Sequence, residues 1–133
     1  MLYLPDTNSW IYYLKGSRPT LTHRIDATPA SEIVTCSIIW AELLHGAFKY
    51  GLPQRRLNAI DSVLSLFKSF PFDNDAAHQY ALIRDQLERR DETIGPHDLM
   101  IAAIAISQGF TVITSDRHLS RVQGLTVEDW TAA

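Results

Sequence analysis

The sequence predicts an α/β protein with a mostly parallel central sheet flanked by helices, and three observations predict it. Short apolar runs near Met1–Leu4, at Glu32–Cys36 (EIVTC) and at Phe110–Thr114 (FTVIT) each end in a polar step, as buried strands do. Segments with apolar residues at helical spacing separate those runs, and strands alternating with helices build parallel sheets covered on both faces. The stretch Ile94–Asp116, IGPHDLMIAAIAISQGFTVITSD, reads as a helix followed by a returning strand, which brings the strand's carboxyl end beside the helix's amino end.

Taken in order, Met1–Leu4 gives way at Pro5-Asp6-Thr7-Asn8 to a loop and a helix, so Asp6 stands at a strand's end. Ser9–Lys15 predicts the first helix, closed by Gly16, and Thr20–Ala27 a second beyond Ser17-Arg18-Pro19. After the strand Glu32–Cys36, Ser37 is suited to cap a helix over Ile38–Tyr50, which ends before Gly51-Leu52-Pro53 and carries Glu42 in its early turns. Arg55–Lys68 sets Leu57, Ile60, Leu64 and Phe67 on one stripe. Ser69–Phe72 predicts a short strand broken by Pro71. Asp75 is expected to cap Ala76–Arg90, with Ala76, Tyr80, Ile83 and Leu87 on its inner face.

Gly95-Pro96 opens the next helix, since proline at a first helical position has φ preset and loses no hydrogen bond it would have made. Asp98 therefore sits in the first turn. Leu99–Ile106 is apolar on nearly every face, which places this helix between layers, and Gly109 stops it. Arg117–Gly124 follows as a polar loop or a turn of helix, and Leu125–Val127 as an edge strand.

At 133 residues, with 46% hydrophobic and 20% charged, the chain predicts one domain over residues 1–133 with a single core. Its net charge of −3 argues against coating nucleic acid through bulk charge, which leaves that task to local patches. Arg117 and Arg121, Arg55-Arg56, or Lys15 and Arg18 can touch a phosphate backbone, although surface charge is the ordinary reading of each. No leader-like segment and no run near the roughly 20 apolar residues of a membrane span is present, so the expectation is a cytoplasmic protein without a membrane partner. Cys36 is alone in an apolar run, which makes it a structural thiol. Glu42 and His45 have the spacing of a di-iron helix, but the second copy that architecture needs is missing. His23, His78, His97 and His118 show no ligand spacing and read as surface or loop residues, with His97 the one to watch. Neither a glycine-rich phosphate loop nor a G-x-S-x-G elbow occurs.

The carboxylates carry the functional argument. In a parallel sheet Asp6, Asp98 and Asp116 fall at one end, and Glu42, on a helix leaving a strand, joins them. Each acid alone has an everyday explanation in capping. Together they repel, raise one another's pKa and call for a cation. A set of oxygens suits Mg²⁺ or Mn²⁺, and such an ion activates water and offsets charge on a phosphoryl group. Hydrolysis of a phosphodiester is the chemistry this predicts. Two other classes remain open: a non-catalytic RNA- or protein-binding module of the same fold, and a phosphatase with Asp6 as nucleophile. The latter usually wants a second Asp two residues on, where this chain has Asn8.

The segments LPDTN at Asp6, AELLHGA at Glu42, FPFDNDAAHQYALIRDQLERR, IGPHDLMIAAIA at Asp98 and VITSDRHLSRVQGLTVEDW at Asp116 resemble those of PIN-domain ribonucleases, specifically the VapC-type toxins of bacterial toxin–antitoxin pairs. The likeness spans essentially the whole chain. It implies a three-layer PIN-like α/β fold and endonucleolytic cleavage of RNA with Mg²⁺, for which Mn²⁺ substitutes. Asp6, Glu42, Asp98 and Asp116 match the four acids that hold the metal and serve catalysis, while Thr7, Asn8 and Thr114 match supporting polar positions. A homodimer is implied as well, together with a VapB-like antitoxin that covers the groove, forms a higher assembly and supplies any contact with DNA. Ser115 stands where many relatives carry Asn, and Leu119 where an aromatic often follows.

Overall fold

The computed structural model describes residues 1–132. Tyr3–Pro5 forms β1, and α1 follows over Thr7–Lys15. Gly16 ends α1 in the left-handed region at φ 66, where its amide returns to the Tyr12 and Tyr13 carbonyls, a conformation that favours glycine. Pro19–Ala27 is α2, and a 3-10 turn at Ala30–Glu32 leads into β2, Val34–Cys36. Then come α3 (Ser37–Lys49), α4 (Pro53–Leu64), β3 (Lys68–Phe70), α5 (Asn74–Arg89), α6 (Pro96–Gln108) and β4 (Thr111–Ile113). A second 3-10 helix at Arg117–Arg121 precedes β5, Thr126–Glu128.

Every strand pairing is parallel. β1 pairs with β4, β4 with β5, and β2 with β3, while one bridge between Tyr3 and Ile33 joins the two groups. The order across the sheet is therefore β3-β2-β1-β4-β5. Chain order reverses between β1 and β4, the kind of switch point outside which α/β sheets bind ligands.

Helix α6 is the buried helix its composition demands, with Ile101, Ala102, Ala103, Ile104 and Ala105 all at 1% exposure or less. Alanines at three of these positions let neighbouring layers approach closely. Trp10 and Trp130 are both buried in the core, Trp10 against Phe67 at 5.3 Å and Trp130 against Tyr3 at 5.1 Å between ring centroids. No helix among the described residues is long and apolar enough to cross a membrane.

Three local expectations give way. Ser37 is the first residue of α3 and makes no side-chain cap bond, because Cys36 stays extended in register with Phe70 and itself takes the capping position. Asp73, not Asp75, caps α5 by accepting from the Ala76 amide at 2.9 Å. Phe72 fixes that entry by packing edge-on against Tyr80. Helix α4 starts at Pro53 and stops at Leu64, where the Ser65 hydroxyl turns back onto the Asp61 carbonyl. Phe67 leaves the helix but keeps its place in the core against Trp10.

Candidate active site

Asp6 follows β1 directly. Its amide donates to the Ile113 carbonyl at 2.9 Å, which extends the ladder one step, and its Oδ1 caps α1 by accepting from the Ser9 amide at 2.9 Å. The Ser9 hydroxyl reaches across to the Ile113 carbonyl at 3.1 Å, so the end of β1, the start of α1 and the end of β4 are sewn together. Asp6 is only 4% exposed. Burial pushes its pKa up, against the hydroxyls of Thr114 and Ser9 and the Ser9 amide, and the Asp116 charge adds to the rise.

Asp98 arrives from the other direction, in the first turn of α6 behind Pro96. Its pKa is pushed up to about 6, first by burial and then by the negative charges of Asp6, Asp116 and Glu42, with His97 opposing. That influence from three other acids is the electrostatic signature of a shared site. The structure thus brings Asp6, Glu42, Asp98 and Asp116 to one sheet edge, as the parallel topology requires.

Glu42 is oriented at both oxygens. The Thr7 hydroxyl donates to Oε1 at 2.5 Å, and His97 Nδ1 lies 3.1 Å from Oε2. Asp116 is held by its neighbours: its amide donates to the Thr114 hydroxyl at 2.9 Å, and its Oδ1 accepts from the His118 amide at 2.9 Å to cap the 3-10 helix. Thr114 thus shapes the turn in which Ser115 is exposed, while Leu119, within the 3-10 helix, is fully buried. Thr7 and Thr114 support the site. Asn8 is exposed and enters none of these bonds among the described residues.

His118 and Ser9 escape the sequence reading, and His97 is singled out there without a role. His97 and His118 are surface residues, as expected, with side chains 60% and 61% exposed, yet each faces one of the acids. Their position one residue before Asp98 and two after Asp116 was the available signal. Ser9 gave none, because its partner is a backbone carbonyl over a hundred positions away.

Among the described residues, no three His, Cys, Asp or Glu side chains converge tightly enough to hold an ion unaided. Glu42 alone of the four acids lines a hollow of any size among the described residues. From Glu42 an open groove runs between α1, α3 and α4, walled by Ile11, Leu14, Leu43 and Ile60 and edged by Lys15 and Arg56. Phe48, Tyr50 and Leu52 stand exposed at the far end of α3 and the turn after it. A second hollow, lined by Tyr80, Leu87, Ile94 and Leu99, holds none of the four acids.

Fold and site together define the class: a parallel α/β protein with four carboxylates gathered beside the switch point of its sheet. The sequence profile of the PIN domain matches residues 3–125, and the chain belongs to that family. It is 33% identical over 129 residues to the tRNA(fMet)-specific endonuclease VapC of Salmonella typhimurium, covering 96% of this chain and 97% of that protein. The crystal structure of DNA-bound VapBC from Salmonella typhimurium contains a chain that superposes with a TM-score of 0.91 at 33% identity, over 98% of this chain and 99% of that one. A chain of VapBC2 from Rickettsia felis bound to a promoter DNA fragment gives 0.89 at 27% identity, over 98% and 99%.

Proposed function

We propose that this protein is a metal-dependent endoribonuclease and the toxin of a toxin–antitoxin pair. The observation that carries the reading is the charge on Asp98, which burial and the other three acids disfavour together. Such a cluster destabilises its own fold unless a cation compensates it. Its donors are all carboxylate oxygens, the chemistry that Mg²⁺ prefers and Mn²⁺ accepts. Asp6, Glu42, Asp98 and Asp116 would hold that ion. When bound, it supplies Lewis-acid stabilisation of the phosphoryl charge and acidifies water.

The chain's own residues do the rest by placement. Asp6 is fixed by the α1 cap, Glu42 by Thr7 and His97, and Asp116 by Thr114 and the His118 amide. In the hydrolysis, a water oxygen bonds to phosphorus in line with the ribose 3′ oxygen. The P–O3′ bond breaks, and the 3′ oxygen takes up a proton, leaving 5′-phosphate and 3′-hydroxyl ends. Net charge of −3 leaves Lys15 and Arg56, beside the groove, to meet the phosphates locally.

The apolar groove and the exposed Phe48, Tyr50 and Leu52 are the surface for protein partners, a VapB-like antitoxin and a second copy of the chain. The relatives that were solved as VapBC assemblies support this reading. For the substrate, transfer RNA is the first RNA to test, given the name of the Salmonella relative.

The test incubates purified protein with an initiator transfer-RNA transcript in Mg²⁺, with and without EDTA, beside Asp98→Asn. We expect discrete fragments with 5′-phosphate ends, abolished by EDTA and by the substitution. A fully active Asp98→Asn protein would sink the assignment of the site, and tight RNA binding without cleavage would make the protein a binding module.

A further inference from the structure

Helix α5 ends at Arg89, and the chain must turn sharply to begin α6 at Pro96. It does so through Asp91, which sits in the left-handed region at φ 54 just past the helix end, its amide returning to the Glu88 carbonyl at 3.1 Å and the Glu92 amide to the Leu87 carbonyl at 2.9 Å. Two guanidinium groups then tie this turn and the loop after it to the chain beyond β4. Arg90 donates from Nη2 to the Arg121 carbonyl at 2.6 Å, and Arg121 donates from Nη1 to the Thr93 carbonyl at 3.1 Å. The Arg121 carbonyl closes the 3-10 helix that Asp116 caps, and is one of the helix-end carbonyls that need an outside donor. Arg90 Nε also stands 3.7 Å from Glu92.

The two segments joined in this way are those that carry Asp98 and Asp116. Asp98 lies five residues beyond Thr93, and Asp116 lies five before Arg121. We propose that Arg90 and Arg121 are positioning residues, which lock the loop ahead of Asp98 to the segment behind Asp116 and so set the separation of the two carboxylates. Arg121 is then occupied by a bond within the chain, not by a phosphate backbone. The kinetic half of this inference rests on the ribonuclease reading; the structural half does not.

The test compares Arg121→Ala, Arg90→Ala, their double variant and Arg121→Lys with wild type, by cleavage of a transfer-RNA transcript and by amide hydrogen exchange. In the alanine variants we expect kcat to fall about tenfold, with KM and the salt dependence of RNA binding held within about twofold, because misplacement of reacting groups acts on the chemical step. Amides of residues 93–99 should exchange faster while the melting temperature stays near that of wild type. The double variant should be no worse than the worse single one, because both bonds serve one link. Arg121→Lys, with one donor able to reach the carbonyl, should recover part of kcat. A raised KM with a weaker salt dependence and unchanged kcat would make Arg121 a phosphate contact and overturn the proposal. Unchanged exchange at 93–99 would overturn it too, as would faster exchange with full kcat. If wild type cleaves no RNA, the ribonuclease reading fails, and exchange alone decides whether the link exists.

Discussion

Keeping Asp6 at 4% exposure beside three other acids costs the fold free energy, and that cost depends on pH. With Asp98 raised from the ordinary 3.8 to about 6, the folded chain binds more protons than the unfolded chain between about pH 4 and pH 6. Stability of the metal-free protein should therefore fall as pH rises through that window and stay lower above it. Thermal melts across the window should show a drop of a few degrees, and Asp98→Asn should remove the part that Asp98 contributes, leaving that of the likewise raised Asp6, and melt higher than wild type at neutral pH. At Glu42 the dependence is on neighbours. Thr7→Val deletes the donor to Oε1 and should lower cleavage about tenfold while changing stability by no more than about 1 kcal/mol, which activity assays and melts on one preparation would separate. Residues of this kind differ in how far the sequence reveals them. Asp6 and Asp98 were legible because a strand end and a proline-opened helix each leave a local mark. Glu42 leaves none, being an ordinary helical glutamate until Thr7 and His97 are seen around it, and the partners of Arg121 and Ser9 are backbone carbonyls that no side-chain pattern records.

Among the elements, α6 was the most legible, since a proline start, an apolar body and a glycine stop agree with one another. Gly109 sits at φ 77 with open space around it, so Gly109→Ala meets no neighbour and bears only the conformational penalty. We expect a loss of about 1 kcal/mol in denaturant titrations. The start of α5 was misread by two residues because Asp73 and Asp75 are chemically alike, and only the extended backbone at Asp73 decides between them. Asp73→Ala should cost about 1 kcal/mol and Asp75→Ala roughly half of that or less, since Asp75 meets only the helix dipole. Equal losses would show that the two aspartates share the cap.

For the molecule as a whole, alternation of strand and helix was enough to give a parallel sheet and to place all four acids at one edge of it. The manner in which the sheet is joined was not legible, because one bridge between Tyr3 and Ile33 has no counterpart in periodicity. That joint lies between β1 and β2, and the acids are divided across it. Asp6 and Asp116 follow β1 and β4 on one side, while Glu42 rides on α3, which leaves β2 on the other. The Thr7–Glu42 hydrogen bond spans the divide. In mild urea, activity should therefore fade at a lower concentration than the far-ultraviolet helical signal; coincident midpoints would show the two halves to be one cooperative unit. The seam that weakens the sheet is then also a fuse, which disarms the protein while most of it is still folded.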